Sequence, residues 1–227
     1  MATFSGSSPS DGLIFLVDAG NPKSYPGSGS TWYNIGNPKS NGSNANMTYS
    51  SANGGYFTFN NSNSVSTFAN YDELNPTSGL TIESWVNFDG NSDDFIFEKG
   101  NVNTQFSLFS HGGDCVFRTY HAGESGYHTQ GPSKSTVGIV NGQWHHIVGS
   151  WDGSTKRIYN DGVVKNSVSK SGALITRTTG AAVGRFGGTT TGYYFGGKIA
   201  YVAVYNRGLT EVEIETRFNN MRGRFGI

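Results

Sequence analysis

Acidic side chains at alternate positions of a strand are the first residues to weigh, because they would suit glycoside hydrolysis. That reaction uses two carboxyl groups flanking the scissile bond, and alternate residues of a strand point to one face. The nearest candidate runs from Asp94 to Glu98, but the apolar Ile96 stands in the middle position. The sequence therefore predicts no catalytic residue.

Five histidines are candidate transition-metal ligands. His145 and His146 are adjacent in a predicted strand, so they point to opposite faces and cannot both bind one ion. We expect His146 to be a hydrogen-bonded structural residue. His111, His121 and His128 lie in or beside glycine-rich stretches. For these three histidines we favour positions in the polar rim of the domain. A transition-metal site is the alternative.

Aromatic rings surrounded by amides and hydroxyls are typical of sugar-binding sites, and the predicted loops supply them. The candidate ligand-binding residues are Trp32, Tyr33, Tyr127, Tyr193 and Tyr194. Two of these, Tyr193 and Tyr194, stand between glycines, a setting that turns at least one ring outward. The alternative is that these rings belong to the core, since sandwich cores are also rich in aromatic residues.

The composition limits the classes of partner. The 227 residues include 16 basic and 16 acidic side chains, and this neutral balance excludes nucleic-acid binding driven by bulk charge. Mean hydropathy is -0.42, and no apolar run approaches the roughly 18 residues of a spanning helix, so no membrane insertion is expected. Residues 1–10 lack the basic and apolar regions of a signal peptide. Cys115 is the only cysteine, which excludes an internal disulfide.

The elements that would position these residues are strands. Glycine accounts for 33 residues, while Leu, Ala, Glu and Lys are sparse. Leu80–Phe88 alternates apolar and other residues, which predicts a half-buried strand. Nine further runs predict strands at 13–17, 56–59, 95–97, 106–109, 116–120, 144–151, 157–159, 181–183 and 199–205. Turn signals separate them, of which Asn160-Asp161-Gly162 is the strongest hairpin signal. The pattern predicts a one-domain, all-β sandwich or jelly roll.

One short helix is predicted near the C-terminus. Thr210 to Glu213 has the form of a capping box, and the run that follows reaches Phe218. Glutamates recur there at every second residue, but on a helix the middle one falls opposite the other two, so we expect a solvated face. The basic tail, 217–227, supplies candidate protein-interface residues at Arg222, Arg224 and Phe225. The equally weighted alternative is a strand or coil that closes the sandwich.

Residues 21–53 form the most polar stretch and predict a long connection after the first strand. A loop of that length in a compact domain is either functional or packed against the body. Trp32 and Tyr33 would anchor it.

Two motifs in the second half carry a family resemblance. Residues 141–162 read NGQWHHIVGSWDGSTKRIYNDG, which resembles the W-x-H-[IV] and Y-[IV]-[ND]-G signature of laminin-G-like domains in the concanavalin A-like lectin/glucanase superfamily. Residues 197–210 read GKIAYVAVYNRGLT, similar to the family ending G-x-I-D-E-V-x-I-Y-N-R-x-L-[ST]. The resemblance begins near Gly12 and covers most of the chain.

The resemblance implies a jelly-roll sandwich of two antiparallel sheets in a single domain, 1–227, with an N-terminal arm at 1–11. The E-x-D-x-E row of the family's glucanases is absent, and the Asp-Glu pair of the final strand is Ala200-Tyr201 here. Calcium is the metal that the family often uses. The best single residue for a structural calcium is Asp18, followed by Asp89, Asp93 and Asp94. No cofactor is required.

Two further passages resemble a subgroup among structural proteins of tailed bacteriophages. They are GLIFLVDAGNPKSY at 12–25 and FNNMRGRFGI at 218–227. The resemblance implies a virion protein made in the host cytoplasm and carried on the surface of the phage particle.

Three hypotheses of function follow. The first is a non-enzymatic virion component, such as a capsid decoration, fibre or tail-associated protein, that contacts other virion proteins and copies of itself. The second is a lectin-like module that binds host or environmental polysaccharide. The third and least favoured is a glycoside hydrolase, which needs two carboxyl groups facing each other in a cleft.

Overall fold

A computed structural model describes residues 10–37, 39–90, 93–100, 104–124, 128–130, 134–187 and 193–227, with only the backbone described for 128–130, 134 and 135. The strands in chain order are β1 (Leu13–Asp18), β2 (Thr31–Trp32), β3 (Gly42–Ala45), β4 (Thr48–Ser50), β5 (Tyr56–Asn60), β6 (Val65–Phe68), β7 (Leu80–Phe88), β8 (Asp94–Lys99), β9 (Phe106–His111), β10 (Asp114–Thr119), β11 (His128–Gln130), β12 (Trp144–Trp151), β13 (Thr155–Asn160), β14 (Val163–Ser169), β15 (Ala181–Val183) and β16 (Gly196–Tyr205). The α-helices are α1 (Lys134–Val137) and α2 (Glu211–Phe225), and 3-10 turns lie at Ala52–Gly54 and Asp72–Leu74.

The strands form two antiparallel sheets, which confirms the predicted all-β sandwich. The first sheet has the order β14-β13-β12-β7-β16-β5-β4, and β1 also pairs with β16. The second sheet has the order β11-β10-β9-β8-β15-β6-β3-β2. Some neighbours, such as β7 and β16 in the first sheet and β8 and β15 in the second, come from distant parts of the chain, as the crossovers of a jelly roll require.

The main core lies between the sheets. Side chains such as Ile82 and Val86 of the first sheet share one buried cluster with Ile96, Phe97 and Phe117 of the second. No helix of the described residues has the length and apolar character needed to cross a membrane.

The outer face of the first sheet is covered by α2. All nine residues of β7 are buried, so the prediction of a half-buried strand is wrong. The reason is tertiary, because Phe218 and Phe225 of the helix stack on Trp85 of β7. A second apolar cluster therefore fills the space between this sheet and the helix.

The helix is longer than the sequence predicts. Its capping box is confirmed, since the Thr210 side chain accepts from the backbone of Glu213, and the Glu213 side chain accepts from the backbone of Thr210. The helix continues to Phe225, however, and Gly226 closes it in the left-handed conformation. Most of the segment predicted as a tail, 217–227, is thus helical, because packing on the sheet outweighs the poor helix propensity of Asn219, Asn220 and Gly223.

The hairpin turn predicted from the sequence is present, and the long loop contributes strands to both sheets. Asp161 and Gly162 both have positive φ and join β13 to β14 through a two-residue turn, as predicted. Residues 21–53 contribute β2 and β3 to the second sheet and β4 to the first. Within that stretch Trp32 is fully buried and anchors the loop.

Candidate functional site

The outer face of the second sheet carries two side-chain rows across β8, β9 and β10. One row pairs Phe95 with Phe109 and Phe109 with Val116. The other row pairs Glu98 with Ser107 and Ser107 with Arg118. Residues directly opposite each other in an antiparallel sheet share a face, so each row presents its side chains together.

The aromatic pocket is formed by Phe95, Phe109, His111, Arg118, Phe186 and Tyr193 and has a volume of about 240 Å³. Phe95 and Phe109 stack with centroids 4.3 Å apart and planes 7° from parallel. Phe186 meets Phe95 edge-on at 5.2 Å. The Arg118 guanidinium carbon lies 4.4 Å from the centroid of Phe109, a cation–π contact. The pocket thus combines apolar rings with a cation.

An arginine pocket lies on the other side of the segment 185–187. It also measures about 240 Å³, and its lining includes Thr67, Thr179, Ala182, Arg185 and Gly187. Arg185 and Gly187 line this pocket and Phe186 lines the aromatic pocket, so one three-residue segment separates the two.

Several buried polar atoms between and within these pockets have no hydrogen-bond partner among the described residues. They are Glu98 Oε2, Ser107 Oγ, Thr179 Oγ1 and Arg185 Nε. Buried polar atoms are normally paired, so the unpaired Thr179 Oγ1 and Arg185 Nε can bind a polar ligand or water in the arginine pocket.

Glu98 is neutral at physiological pH. Burial raises the pKa of its carboxyl to about 8, although a hydrogen bond from Thr104 and the charge of Arg118 oppose the rise. Asp94, at the other end of the candidate catalytic row, is also fully buried and accepts hydrogen bonds from Gly196 N at 2.8 Å and Ser110 Oγ at 3.3 Å. Both carboxyl groups are therefore buried and hydrogen-bonded within the fold, which is typical of structural residues.

The histidines have separate partners. His146 Nε2 donates to Glu83 Oε1 at 3.0 Å, in accord with the structural role expected for it. His145 Nδ1 lies 3.0 Å from Asp161 Oδ2, and His121 Nδ1 lies 2.8 Å from the carbonyl of Gly172. His111 pairs with Asp93 at the rim of the aromatic pocket. The His128 side chain lies outside the described part of the chain, and in that part no three His, Cys, Asp or Glu residues converge on a common metal position.

The predicted ligand-binding aromatics separate in space. Tyr193 lines the aromatic pocket and is 38% exposed. Tyr194 pairs through its backbone with Arg185. Tyr33 is exposed but lines neither pocket. The assignment of Trp32 to ligand binding is wrong, because its ring is fully buried in the core, where Phe57 packs edge-on against it. Tyr127 lies outside the described residues.

An arginine pairs with Asp18, the residue predicted to bind calcium. Arg224 Nη1 donates to Asp18 Oδ1 at 2.8 Å, and the guanidinium also donates to the carbonyls of Asn53 and Gly55. In this arrangement the Arg224 guanidinium supplies the positive charge beside Asp18, and calcium binding at Asp18 stays a prediction. Calcium binding elsewhere in the chain is a prediction as well.

The predicted interface residues at the C-terminus are engaged mainly within the chain. Phe225 is buried with its centroid 4.3 Å from that of Trp85, so it is not available to a partner, and its assignment to an interface is wrong. Arg224 is held by Asp18, as described above. Arg222 is exposed and donates to the carbonyl of Ile227, and its interface role stays a prediction.

Sequence reasoning missed most of the aromatic and arginine pockets. Phe95 and Phe109 belong to predicted strands, so in the sequence they resemble core residues. The glycine-rich run Gly184-Arg185-Phe186-Gly187-Gly188 does not have the pattern of a phosphate-binding loop, so the sequence assigns it no function. An arginine and a phenylalanine between glycines were the one local signal, since glycines often flank exposed functional loops.

Residues 59–215 match the family described as the concanavalin A-like lectin/glucanases superfamily. No curated protein matches the sequence. Among solved structures, the binding domain of Paraclostridial Mosquitocidal Protein 1 is 14% identical with a TM-score of 0.72, covering 94% of this chain and 53% of that chain. Botulinum neurotoxin type C, whose cell entry depends on interaction with two ganglioside molecules, is 11% identical with a TM-score of 0.70, covering 93% and 52%. Trypanosoma rangeli sialidase is 15% identical with a TM-score of 0.64, covering 94% and 33%.

The chain spans about half the length of the two toxin chains and a third of the sialidase chain. At such low identity these likenesses show the fold alone. The family match covers more than half of the residues and includes both sequence motifs. The chain belongs to the concanavalin A-like lectin/glucanases superfamily.

Proposed function

We propose that the chain is a non-catalytic carbohydrate-binding module, and that the aromatic pocket holds a sugar ring. The observation that carries this proposal is the group of Phe95, Phe109, Phe186 and Tyr193 beside Arg118 on the outer face of the second sheet, where Tyr193 is the exposed ring. Sugar rings have apolar faces and hydroxyl edges, so they fit a pocket that offers aromatic rings and polar donors together.

The fold comparisons support a binding role. The mosquitocidal protein structure is a binding domain, and the neurotoxin interacts with gangliosides, which are glycan-bearing lipids. A hydrolytic role has less support, because Asp94 and Glu98 are buried with structural partners and the pocket lining contains no pair of carboxylates.

The test is a glycan array followed by titration calorimetry on the sugars that bind. We expect Tyr193→Ala to weaken binding about tenfold, since an aromatic contact with its buried area contributes roughly 1 kcal/mol or more. Tyr33→Ala is the matched control, because Tyr33 is equally exposed but lines neither pocket. Equal losses in both variants, or no binding to any glycan, would contradict the proposal.

The virion role stays a prediction of the sequence. Its partners, other phage proteins and copies of this chain, are testable by sedimenting the purified protein with phage particles. Attachment to particles without glycan binding would favour that role over the one proposed. A protein that binds both would be an adhesin displayed on the virion.

A further inference from the structure

We infer that the glycan carries a carboxylate, and that Arg185 in the arginine pocket binds it while the aromatic pocket holds a neighbouring ring. The inference rests on the proposed function and specifies the class of sugar.

The two pockets lie along one row of side chains. Thr67 pairs with Ala182, Ala182 with Glu98, Glu98 with Ser107, and Ser107 with Arg118. Arg118 lines the aromatic pocket at one end of the row, and Thr67 and Ala182 line the arginine pocket at the other. Since directly paired residues share a face, both pockets open on the same outer face of the second sheet.

The spacing suits an oligosaccharide. Arg118 on β10 and Ala182 on β15 are three strands apart, which corresponds to about 14 Å at the usual strand spacing. One monosaccharide does not cover that distance, so a ligand that reaches both Arg118 and Ala182 has several sugar units.

The side chain of Arg185 has an unpaired hydrogen-bond donor in the arginine pocket. Its Nε is buried without an acceptor, and its guanidinium forms no ion pair with any described residue. A guanidinium matches the geometry of a carboxylate, to which it can donate two parallel hydrogen bonds. Thr179 adds a second unpaired group to the same pocket, its buried hydroxyl.

The charge of the row favours an acidic ligand. Arg118 lies at one end and Arg185 at the other, and the described lining of the two pockets contains no carboxylate, although Asp93 pairs with the lining residue His111 at the rim of the aromatic pocket. Glu98 lies between them, but burial raises its pKa to about 8, so at neutral pH it is mainly uncharged. In that form it does not repel an anion.

The experiment compares acidic sugars with their uncharged counterparts by titration calorimetry in 0.15 M salt. One pair is trigalacturonic acid and its methyl ester, and the other is sialyllactose and lactose. We expect at least one acidic probe to bind at least tenfold more tightly than its uncharged counterpart, and the pair that shows the preference identifies a uronic or a sialic acid. The Arg185→Gln variant should reduce that preference to less than threefold, because it removes the guanidinium that pairs with the carboxylate.

Three further variants make the result specific. Arg222→Gln removes an exposed arginine from α2 and should keep the full preference. Arg185→Lys keeps the charge without the paired donors and should retain only part of it. Tyr193→Ala should weaken both members of a pair equally.

The possible outcomes separate the inference from the function on which it rests. Equal binding of the acidic and uncharged probes, or a preference that survives in a folded Arg185→Gln protein, overturns the acidic-ligand inference and leaves the glycan-binding function standing. Failure of every probe and every array glycan to bind overturns both.

Discussion

Glu83 is a buried carboxylate that depends on its partners. It is fully buried on the outer face of the first sheet, where Arg217 Nε donates to Oε2 at 2.6 Å and His146 Nε2 donates to Oε1 at 3.0 Å. Burial raises the pKa of the carboxyl, but the His146 hydrogen bond and the Arg217 charge outweigh it, so the pKa lies below its ordinary value. The group is therefore charged and needs its cation.

Removing that cation should be costly. The Arg217→Met variant keeps the apolar stem but removes the cation that pairs with the buried charge of Glu83, and we expect a loss of about 3–5 kcal/mol in the free energy of unfolding. Urea denaturation measures it, with Arg222→Met on the same helix as an exposed control that should change stability by less than about 0.5 kcal/mol. A double variant with Glu83→Gln should recover part of the loss, and no recovery would show that charge is not the cause.

Glu98 predicts a pH dependence of the opposite kind. Its pKa is about 8 in the folded chain against an ordinary value of 4.5, so between these values the folded state holds a proton that the unfolded state has released. Its contribution to stability is therefore full below pH 4.5 and falls as the pH rises to about 8. Glu98→Gln removes this dependence, and its stability relative to the wild type should rise by roughly 4 kcal/mol between pH 5 and pH 9. Denaturation at both pH values measures the change, and a constant difference would contradict the buried-acid assignment.

At the scale of elements, α2 is the component that distinguishes the two sheets. It covers the first sheet with Ile214 and Phe225, and Arg224 ties its last turn to Asp18, 206 residues earlier in the chain. Among the described residues, no helix lies over the aromatic row of the second sheet, where the segment 185–187 lies instead. The helix therefore makes the outer faces of the two sheets different.

The capping box should contribute measurably to that element. Thr210 accepts from the Glu213 backbone, and Glu213 also pairs with Arg207 Nη2 at 2.7 Å. Thr210→Ala leaves a donor in the first turn unpaired, and we expect a loss of about 1 kcal/mol. Thermal unfolding followed by circular dichroism measures it, and Thr210→Ser should behave as the wild type because it keeps the hydroxyl. If the serine variant lost as much as the alanine variant, the cap would not be the cause.

At the scale of the whole molecule, one core joins both sheets. Its buried cluster includes Trp32 from the second sheet and Trp151 from the first, while Trp85 and Trp144 lie beneath α2. Tryptophan fluorescence therefore reports on both sheets and on the docking of the helix at once.

We expect the chain to unfold in one cooperative transition. Urea curves followed by tryptophan fluorescence and by far-ultraviolet circular dichroism should coincide, because neither sheet can separate without exposing the shared core. An early fluorescence change in the wild type that is absent from Trp85→Phe would instead show that the helix undocks first.

The sequence by itself determined the class of fold and much of the strand pattern. Leu80–Phe88 and Trp144–Trp151 are strands with the predicted bounds, and the Asp161–Gly162 turn and the Thr210 capping box form as expected. These features depend on neighbouring residues, such as the period of apolar side chains and the tolerance of positive φ, which are readable along the chain.

Only the tertiary structure decided which surfaces are buried and which residues meet. It placed Trp32 and Phe225 inside, set Arg224 against Asp18, and left Glu98 uncharged. It also brought Phe109 and Phe186 to one pocket with Tyr193. These outcomes depend on strand pairing and helix docking between residues far apart in the chain. No local pattern in the sequence encodes the partner of a side chain across a sheet, so the residues of the pocket can be identified only from the folded structure.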